Sequence, residues 1–275
     1  MHLDRHPSMR TAFTLGMEPS GREHVVVVVK ATYAFPEQEG GHAEFASEQD
    51  DLVTADTFWG EPGFSAPRHE VDFARFKAQC DVLLNATAHA PGGRPVERVQ
   101  TGIRIGSWQK RLDVVGNRVW LDGITAPNVS SIEPFVRMPI TYDRAFGGTD
   151  RLGEEDGILD AYRPNPVGLG FHDPRNQDRL AGQPLPNTEA PGEPVTSPLG
   201  DHAPMSYGPV GRGWSQRLRW AGTYDERWQQ EVFPFLPADF DDRYYQAAPE
   251  DQWIAYPRGG EEVVLVGLTP EGRTR

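Results

Sequence analysis

Apolar positions in the first half of the chain follow the spacing of short β-strands. Five consecutive valines at residues 25–29, continued to Phe35 and ended by Pro36, form a run without alternation, which is typical of a strand buried on both faces. A turn at residues 18–21 allows the preceding TAFTLGM segment to pair with the valines as a hairpin. Gly40 and Gly41 then turn the chain back through HAEFAS, so the pattern predicts a three-stranded meander.

Strand patterns return after residue 80. Residues 81–90, 96–106, 108–116 and 118–123 are apolar or alternating and are separated by glycine-containing turns. MPITY at residues 138–142 adds a strand whose Pro139 favours an edge or a strand start, and residues 261–268 form the last one. Strands joined by short turns favour antiparallel pairing. The predicted fold is all-β, mainly an antiparallel sandwich or open barrel, with minor helix and long loops rich in proline, glycine and aromatic residues.

The second half of the chain has almost no periodic segment between residues 147 and 222. A loop this long in a compact domain is uncommon unless it is functional, disordered or wrapped on the core, and its many aromatic residues favour wrapping. Residues 225–231 have a pattern for two helical turns. We therefore predict a single domain, residues 1–275, with a β-rich part (11–146), a loop-rich wrapping region (147–258) and a final strand (261–268).

The charge balance narrows the classes of partner. The 275 residues carry a formal net charge of −13, which argues against a general nucleic-acid binder. Cys80 is the single cysteine, so the sequence excludes an internal disulfide and a cysteine-based metal site. We expect Cys80 to be a small buried hydrophobic residue. No apolar run has the length of a signal-peptide core or a membrane span, which predicts a cytoplasmic protein without membrane contact.

Known motifs for catalysis or cofactor binding are absent from the sequence. It has no G-x-S-x-G, H-E-x-x-H, Walker A or G-x-G-x-x-G pattern in the required context. Two local histidine groups, His2 with His6 and His69 beside Glu70 and Asp72, lack the spacing of a metal site. We therefore expect neither a cofactor nor a metal.

One acidic cluster leaves a chemical alternative open. Asp239, Asp241 and Asp242 lie beside Arg243, and paired carboxylates on a loop-rich β scaffold can hydrolyse a glycosidic bond. The same side chains can instead cap turns and pair with the arginine, because structural networks also perturb carboxylates. The sequence permits a hydrolase acting on cell-wall sugar or peptide without requiring one.

The loops around and after residue 142 offer a candidate recognition surface. Arginine and large aromatic side chains dominate the binding energy of many protein interfaces; core packing is the alternative role for the aromatic ones. The candidate partner-binding residues are Tyr142, Arg144, Arg212, Trp214, Tyr224 and Trp228.

A series of segments in fixed order resembles a bacterial family. The segments are VVVVVKATYAF, ADTFWGEP, DVLLNATAHAPGG, MPITYDRAFGG, NPVGLGF, LPN, GPVGRGW, AGTYDERW, PADFDDRYYQAAPEDQ and GGEEVVLVGLTPEG. Between residues 11 and 272 they resemble the family called domain of unknown function 2169. Members are associated with type VI secretion, so the resemblance implies an adaptor or chaperone that brings a toxic effector to the VgrG spike or its PAAR tip. It implies no catalytic residue.

One departure from the family pattern concerns the last strand. Family members commonly continue beyond TPEG with more β-structure, whereas this sequence ends at Arg275. Either the protein is a short member of the family, or a strand is missing. We expect the strand at residues 262–268 to be an exposed edge; the sequence gives no expectation for the oligomeric state.

Overall fold

The computed structural model describes residues 9–18, 20–36, 38–123, 127–199 and 202–274. Short strands dominate it, so the all-β fold class is confirmed. In chain order the strands are β1 (Arg10–Met17), β2 (Glu23–Lys30), β3 (Tyr33–Ala34), β4 (Glu44–Phe45), β5 (Thr57–Phe58), β6 (Pro67–His69), β7 (Cys80–Asp81), β8 (Ala86–His89), β9 (Arg98–Ile105), β10 (Trp108–Val115), β11 (Trp120–Leu121), β12 (Asn128–Val129), β13 (Arg137–Ile140), β14 (Phe146–Gly147), β15 (Thr149–Gly153), β16 (Ile158–Ala161), β17 (Leu169–Gly170), β18 (Thr188–Glu189), β19 (Trp253–Ile254), β20 (Val263–Val266) and β21 (Arg273–Thr274).

Helices are few and short in the described residues. The two α-helices are α1 (Ser215–Leu218) and α2 (Glu226–Glu231). The 3₁₀ turns are Pro91–Gly93, Tyr142–Arg144, Glu154–Asp156, Pro174–Arg179, Asp242–Tyr245 and Glu250–Gln252. Helix α2 confirms the helical pattern predicted near residue 225. Asp225 is its N-cap and accepts a hydrogen bond from the Trp228 backbone N–H at 2.8 Å, which satisfies a donor that the first helical turn leaves unpaired.

The largest sheet has five strands in the order β18-β10-β9-β20-β21, and all its neighbours are antiparallel. Strands β9 and β10 confirm the alternating segments predicted at residues 96–106 and 108–116. The other described strands occur in two-stranded sheets, and none of the described sheets closes into a barrel.

The main core lies on one face of the five-stranded sheet. Alternate positions of β9 and β10 place Val99, Ile103, Leu112 and Val114 on that face, and all four are buried. Strands β8 and β13 cover them and contribute the buried residues Ala88, Met138 and Ile140. The result is a two-layered core of the kind expected for an open sandwich.

Segments of the second half are fixed to the core by close backbone contacts. Strands β14 and β17 pair in parallel, which joins AFGG to NPVGLGF. The buried Asn165 donates from Nδ2 to the carbonyl oxygens of Tyr142 and Phe146, at 2.9 Å and 3.0 Å. Gly147 has a φ of +143°, and a Cβ there would lie 2.1 Å from the Asn165 carbonyl oxygen. Only glycine permits this approach.

The prediction that the valine strand is buried on both faces is wrong. β2 forms a two-stranded antiparallel hairpin with β1, in which Phe13 lies opposite Val27. Val25, Val27 and Val29 are about half exposed, while Val26 and Val28 are partly covered. A β-branched run favours the extended conformation whatever covers it. Burial on both faces needs a packed layer on each side, and the sequence of one strand does not specify those layers.

The predicted meanders are also only partly correct. The TAFTLGM segment does pair with the valines, although Pro19 in the connecting turn lies outside the described residues. HAEFAS contributes β4, which pairs with β3 at the end of the predicted second strand, so this part of the meander is confirmed. Residues 81–90 divide into β7 and β8, which pair with β19 and β13. Local patterning predicted where strands occur, whereas pairing depended on segments far apart in the chain.

The expected exposed edge at residues 262–268 is closed over part of its length. β20 pairs with β9 on one side and with β21 on the other. The second pairing joins Leu265 to Thr274 and Val266 to Arg273, so the expectation of an open strand is wrong at these positions.

Candidate functional site: an exposed hairpin above a cleft

Two of the candidate partner-binding residues are buried. The rings of Tyr142 and Trp214 pack edge to face, with centroids 5.2 Å apart, and their exposed fractions are 2% and 7%. Burial raises the pKa of the Tyr142 hydroxyl. Both side chains therefore act as core residues of the loop-rich region and present almost no surface to a partner in this conformation.

Arg144 connects two distant loops. Its Nη1 donates to Asn187 Oδ1 at 2.8 Å, while the Asn187 backbone N–H donates to the Arg144 carbonyl oxygen at 2.7 Å. Neighbouring Asp143 accepts a hydrogen bond at 2.9 Å from the backbone N–H of Ala66, far earlier in the chain. The TYDR segment thus holds three loops together.

Arg212 belongs to a charged network beside a small pocket. Its Nε lies 2.9 Å from Asp56 Oδ2 and 2.8 Å from Glu70 Oε1. The Glu70 carboxylate also pairs with the buried Arg217 at 2.8 Å. Arg212 and Trp214 line the pocket, whose volume is about 370 Å³. Because both carboxylates are already paired, the network is suited to holding residues 56, 70 and 212–217 together.

Tyr224 and Trp228 form an aromatic group at the surface with Phe233. Ring centroids are 4.7 Å apart for Tyr224–Trp228 and 5.7 Å apart for Trp228–Phe233. The Trp228 indole N–H donates to the Phe235 carbonyl oxygen at 2.9 Å. Tyr224 and Phe233 are more than half exposed. Of the six candidate partner-binding residues, Tyr224 and Trp228 are the pair that lies in an exposed apolar patch.

The carboxylates of the acidic cluster all make hydrogen bonds or ion pairs with other residues of the protein. Asp239 accepts hydrogen bonds from the backbone N–H and hydroxyl of Thr223 at 3.0 Å and 2.7 Å. Asp241 pairs with Arg243 at 2.6 Å, and Asp242 pairs with Arg75 at 2.6 Å. These hydrogen bonds lower the pKa of Asp239 and Asp241. Lowered values oppose the role of general acid, which needs a carboxyl group that is protonated near neutral pH.

Cys80 and His69 both have structural surroundings that account for them without a reactive role. Cys80 is half-buried, and burial raises the pKa of its thiol, whereas a nucleophilic cysteine needs a lowered pKa. His69 Nε2 lies 3.3 Å from the Asn85 side-chain nitrogen. The described residues contain no group of three His, Cys, Asp or Glu side chains that could hold a metal ion; His2 and His6 lie outside them.

The sequence pattern did not predict an exposed apolar face on the β1–β2 hairpin. Six of its side chains point to one side, and each is between 45% and 72% exposed. We call this set the outer face; it consists of Phe13, Leu15, Met17, Val25, Val27 and Val29. A large contiguous apolar patch on a protein surface often marks a site of interaction. The alternation of Phe13, Leu15 and Met17 with Thr14 and Gly16 is the signal that could have predicted it.

The hairpin is fixed to the body at its two ends. At the open end, Arg10 lies 3.2 Å from Asp51, and Lys30 lies 3.2 Å from Asp72. At the turn, Gly21 lies against the Phe235 ring, since a Cβ there would be 3.6 Å from it. The turn therefore adjoins the aromatic group of Tyr224, Trp228 and Phe233 through Phe235.

A cleft of about 920 Å³ separates β2 from the body of the protein. Residues 25–30 line one side of it, and residues 68–72 and 83–85 line the other. Its basic side chains outnumber the acidic ones: Lys30, Arg68, Arg75 and Lys77 against Glu70 and Asp72. This excess is notable because the whole chain has a net charge of −13. The hairpin thus has an apolar outer face and a locally basic cleft beneath it.

No helix in the described part of the chain combines the length and apolar character needed to cross a membrane. A family model described as an uncharacterized protein conserved in bacteria, domain of unknown function 2169, matches residues 20–275. No curated protein and no solved structure matches the chain. The matched residues include β2, the cleft and every candidate partner-binding residue.

Proposed function

The chain belongs to the bacterial family of domain of unknown function 2169, and from that membership we propose that it is a non-enzymatic adaptor or chaperone. In this proposal it binds a type VI secretion effector in the cytoplasm and helps to load it on the VgrG spike or PAAR tip. The type VI part of the proposal is supported by the resemblance of the ordered sequence segments to adaptors of this kind.

The observation that carries a binding role is the outer face of the hairpin. An apolar side chain of this size contributes about 1.5–3 kcal/mol when it moves from water into an apolar environment. All six side chains of the outer face are at least 45% exposed, so much of this free energy is still obtainable on binding a partner. A second exposed apolar group, which includes Tyr224 and Phe233, lies near the hairpin turn through Phe235.

The site suits a chaperone because an exposed β-hairpin can cover apolar segments of an effector until delivery. The salt bridges of Arg10 and Lys30 at one end and the contact of Gly21 with Phe235 at the other hold the hairpin in place. A preorganised surface binds with a smaller loss of conformational entropy than a flexible one.

The hydrolase alternative receives less support from the geometry. Asp239 accepts a hydrogen bond from Thr223. Asp241 and Asp242 form ion pairs with arginines. The hydrogen bonds that lower the pKa of Asp239 and Asp241 disfavour a general acid at either residue. The triple change of these residues to asparagine tests this alternative, since a carboxylate hydrolase would lose its activity on peptidoglycan.

The test of the adaptor proposal is affinity capture from the native bacterium followed by mass spectrometry. The bait is the full chain, and the matched control is a Leu15→Glu/Val27→Glu variant that charges the outer face. We expect a toxin, VgrG or PAAR protein to be captured by the wild-type chain and depleted at least tenfold with the variant. Capture of none of these proteins by the wild-type chain would refute the proposal.

A further inference from the structure

The edge of β2 that faces the cleft is open. Among the described strands, β2 pairs only with β1. In an antiparallel pair about half of the backbone N–H and C=O groups of each strand point away from the partner. Those of β2 are therefore available to another strand, as is usual for an unprotected sheet edge.

The residues that line the cleft show that it runs along the open edge of β2. A cavity against one face of a strand would contact alternate residues, because successive side chains point to opposite faces. This cleft instead contacts six consecutive residues, 25–30. Its volume of about 920 Å³ is at the upper end of the range for small-molecule sites, which is roughly 300–1,000 Å³. The cleft is thus long enough to follow the strand and large enough for a segment of polypeptide.

The walls of the cleft are suited to alternating side chains. Apolar residues come from both sides, including Val26, Val28, Val53, Phe76, Leu83 and Tyr256. An extended segment that pairs with β2 presents side chains to both faces of the enlarged sheet. Those on one face would meet the body wall, where apolar side chains alternate with charged ones, while those on the other would extend the outer face of the hairpin.

One basic side chain in the cleft has no acidic partner. Lys30 pairs with Asp72, Lys77 with Asp81, and Arg75 with Asp242. Among the described residues, Arg68 has no carboxylate within ion-pair distance, and its guanidinium stacks on the exposed Trp59 ring at 4.9 Å. An exposed guanidinium at the cleft is complementary to a carboxylate on the incoming segment.

We propose that the cleft binds an extended segment of the partner protein, which adds as a third strand to the open edge of β2. The segment carries apolar side chains at alternate positions and a carboxylate that pairs with Arg68. This proposal rests on the adaptor function and specifies how the partner is held. Strand addition is a common mode of peptide recognition, in which main-chain hydrogen bonds supply affinity and side-chain pockets supply specificity.

The experiment measures backbone hydrogen exchange of the full chain with a short capped peptide of alternating valine and threonine that contains one glutamate. We expect the peptide to slow exchange of amides within residues 25–30, because outward N–H groups of β2 become hydrogen-bonded. A second peptide carries lysine in place of glutamate and should bind roughly tenfold more weakly. A third is N-methylated at alternate residues and should give no protection of these amides.

Variants of the protein test the role of Arg68. The wild-type protein should prefer the glutamate peptide. Arg68→Glu should reverse this preference, so that the lysine peptide binds more tightly. Arg94→Glu, a matched change of an exposed arginine that does not line the cleft, should keep the wild-type preference. Circular dichroism of both variants establishes that each is folded.

Three results would overturn the proposal: no binding of the glutamate peptide at millimolar concentration, binding without protection of residues 25–30, or equal affinity for the two charged peptides. These experiments distinguish a failure of strand addition from a failure of the adaptor function. A complex with a type VI effector that leaves these amides unprotected refutes strand addition alone. Protection by the peptide without any effector complex refutes the adaptor function alone.

Discussion

At the scale of single residues, small and polar side chains determine how the loops pack. Gly147 brings its backbone against the Asn165 carbonyl oxygen, and Asn165 in turn bonds to the carbonyls of Tyr142 and Phe146. The sequence placed both residues in the region that lacks periodic segments. Their true role depends on a contact between segments that are separate in sequence, and single-residue preferences cannot predict such a contact.

Replacement of Gly147 by alanine tests this contact. Its Cβ would lie 2.1 Å from the Asn165 carbonyl oxygen, so we expect the free energy of unfolding to fall by about 3 kcal/mol or more. Gly182→Ala is the control, because Gly182 also has a positive φ (+84°) but no atom within 4 Å of the added Cβ. The control should lose only about 1 kcal/mol. Equal losses in urea unfolding would show that the close contact is unimportant.

Asp150 provides a prediction about pH. Burial raises the pKa of its carboxyl group, but hydrogen bonds from the Asn176 side chain and from the backbone N–H groups of Leu152 and Asp173 lower it more. The folded-state pKa is therefore below the ordinary value of 3.8. Asp150 thus stabilises the fold above that value, and this contribution is lost as pH falls through the folded-state pKa.

Asp150→Asn should lower the free energy of unfolding at pH 7 by about 1.5–3 kcal/mol. The difference from wild type should narrow as pH falls below 3.8, because the carboxyl group is then protonated more readily in the unfolded chain than in the folded protein. Thermal unfolding across this pH range measures both effects, and Asp178→Asn, a change of an exposed aspartate, is the control. A difference that does not depend on pH would contradict the assignment.

At the scale of elements, the β1–β2 hairpin and the five-stranded sheet differ in how many of their strand edges are paired and how much of their faces is covered. β9 has a partner on each side and a covered face, whereas β2 has one partner and an exposed outer face. The hydrophobic pattern predicted both as strands, because extended conformation is a local property. It did not predict which would be covered, because the layers that bury a strand come from other parts of the chain.

This difference should appear in the exchange of backbone amides. We expect the hydrogen-bonded amides of β2 to exchange through a local opening that costs at least about 2 kcal/mol less than the opening of β9 and β10. Native-state hydrogen exchange at increasing urea concentration measures these free energies. If β1 and β2 open only with the whole molecule, the hairpin is an integral part of the main core.

At the scale of the whole molecule, the fold class was predictable and the exposed outer face of the hairpin was not. Strand periods and turn residues predicted an all-β chain with wrapped loops. The six candidate partner-binding residues were chosen by residue type, and the structure buries Tyr142 and Trp214 while it leaves Tyr224 exposed. Residue type alone cannot separate an aromatic core residue from an interface anchor, since both roles use the same apolar area.

The central claim is that the chain binds a protein partner through the outer face of its hairpin. The most direct test is the affinity of the purified chain for the effector identified by affinity capture, measured by isothermal titration calorimetry. Leu15→Glu/Val27→Glu should weaken binding at least about thirtyfold, the effect of losing about 2 kcal/mol at an interface anchor. Its melting temperature should stay near that of wild type, because both side chains are exposed.

The matched control is Val136→Glu/Leu199→Glu, which charges two exposed apolar side chains outside the hairpin and should retain wild-type affinity. Affinity that falls equally in both double variants, or in neither, would contradict binding through the outer face.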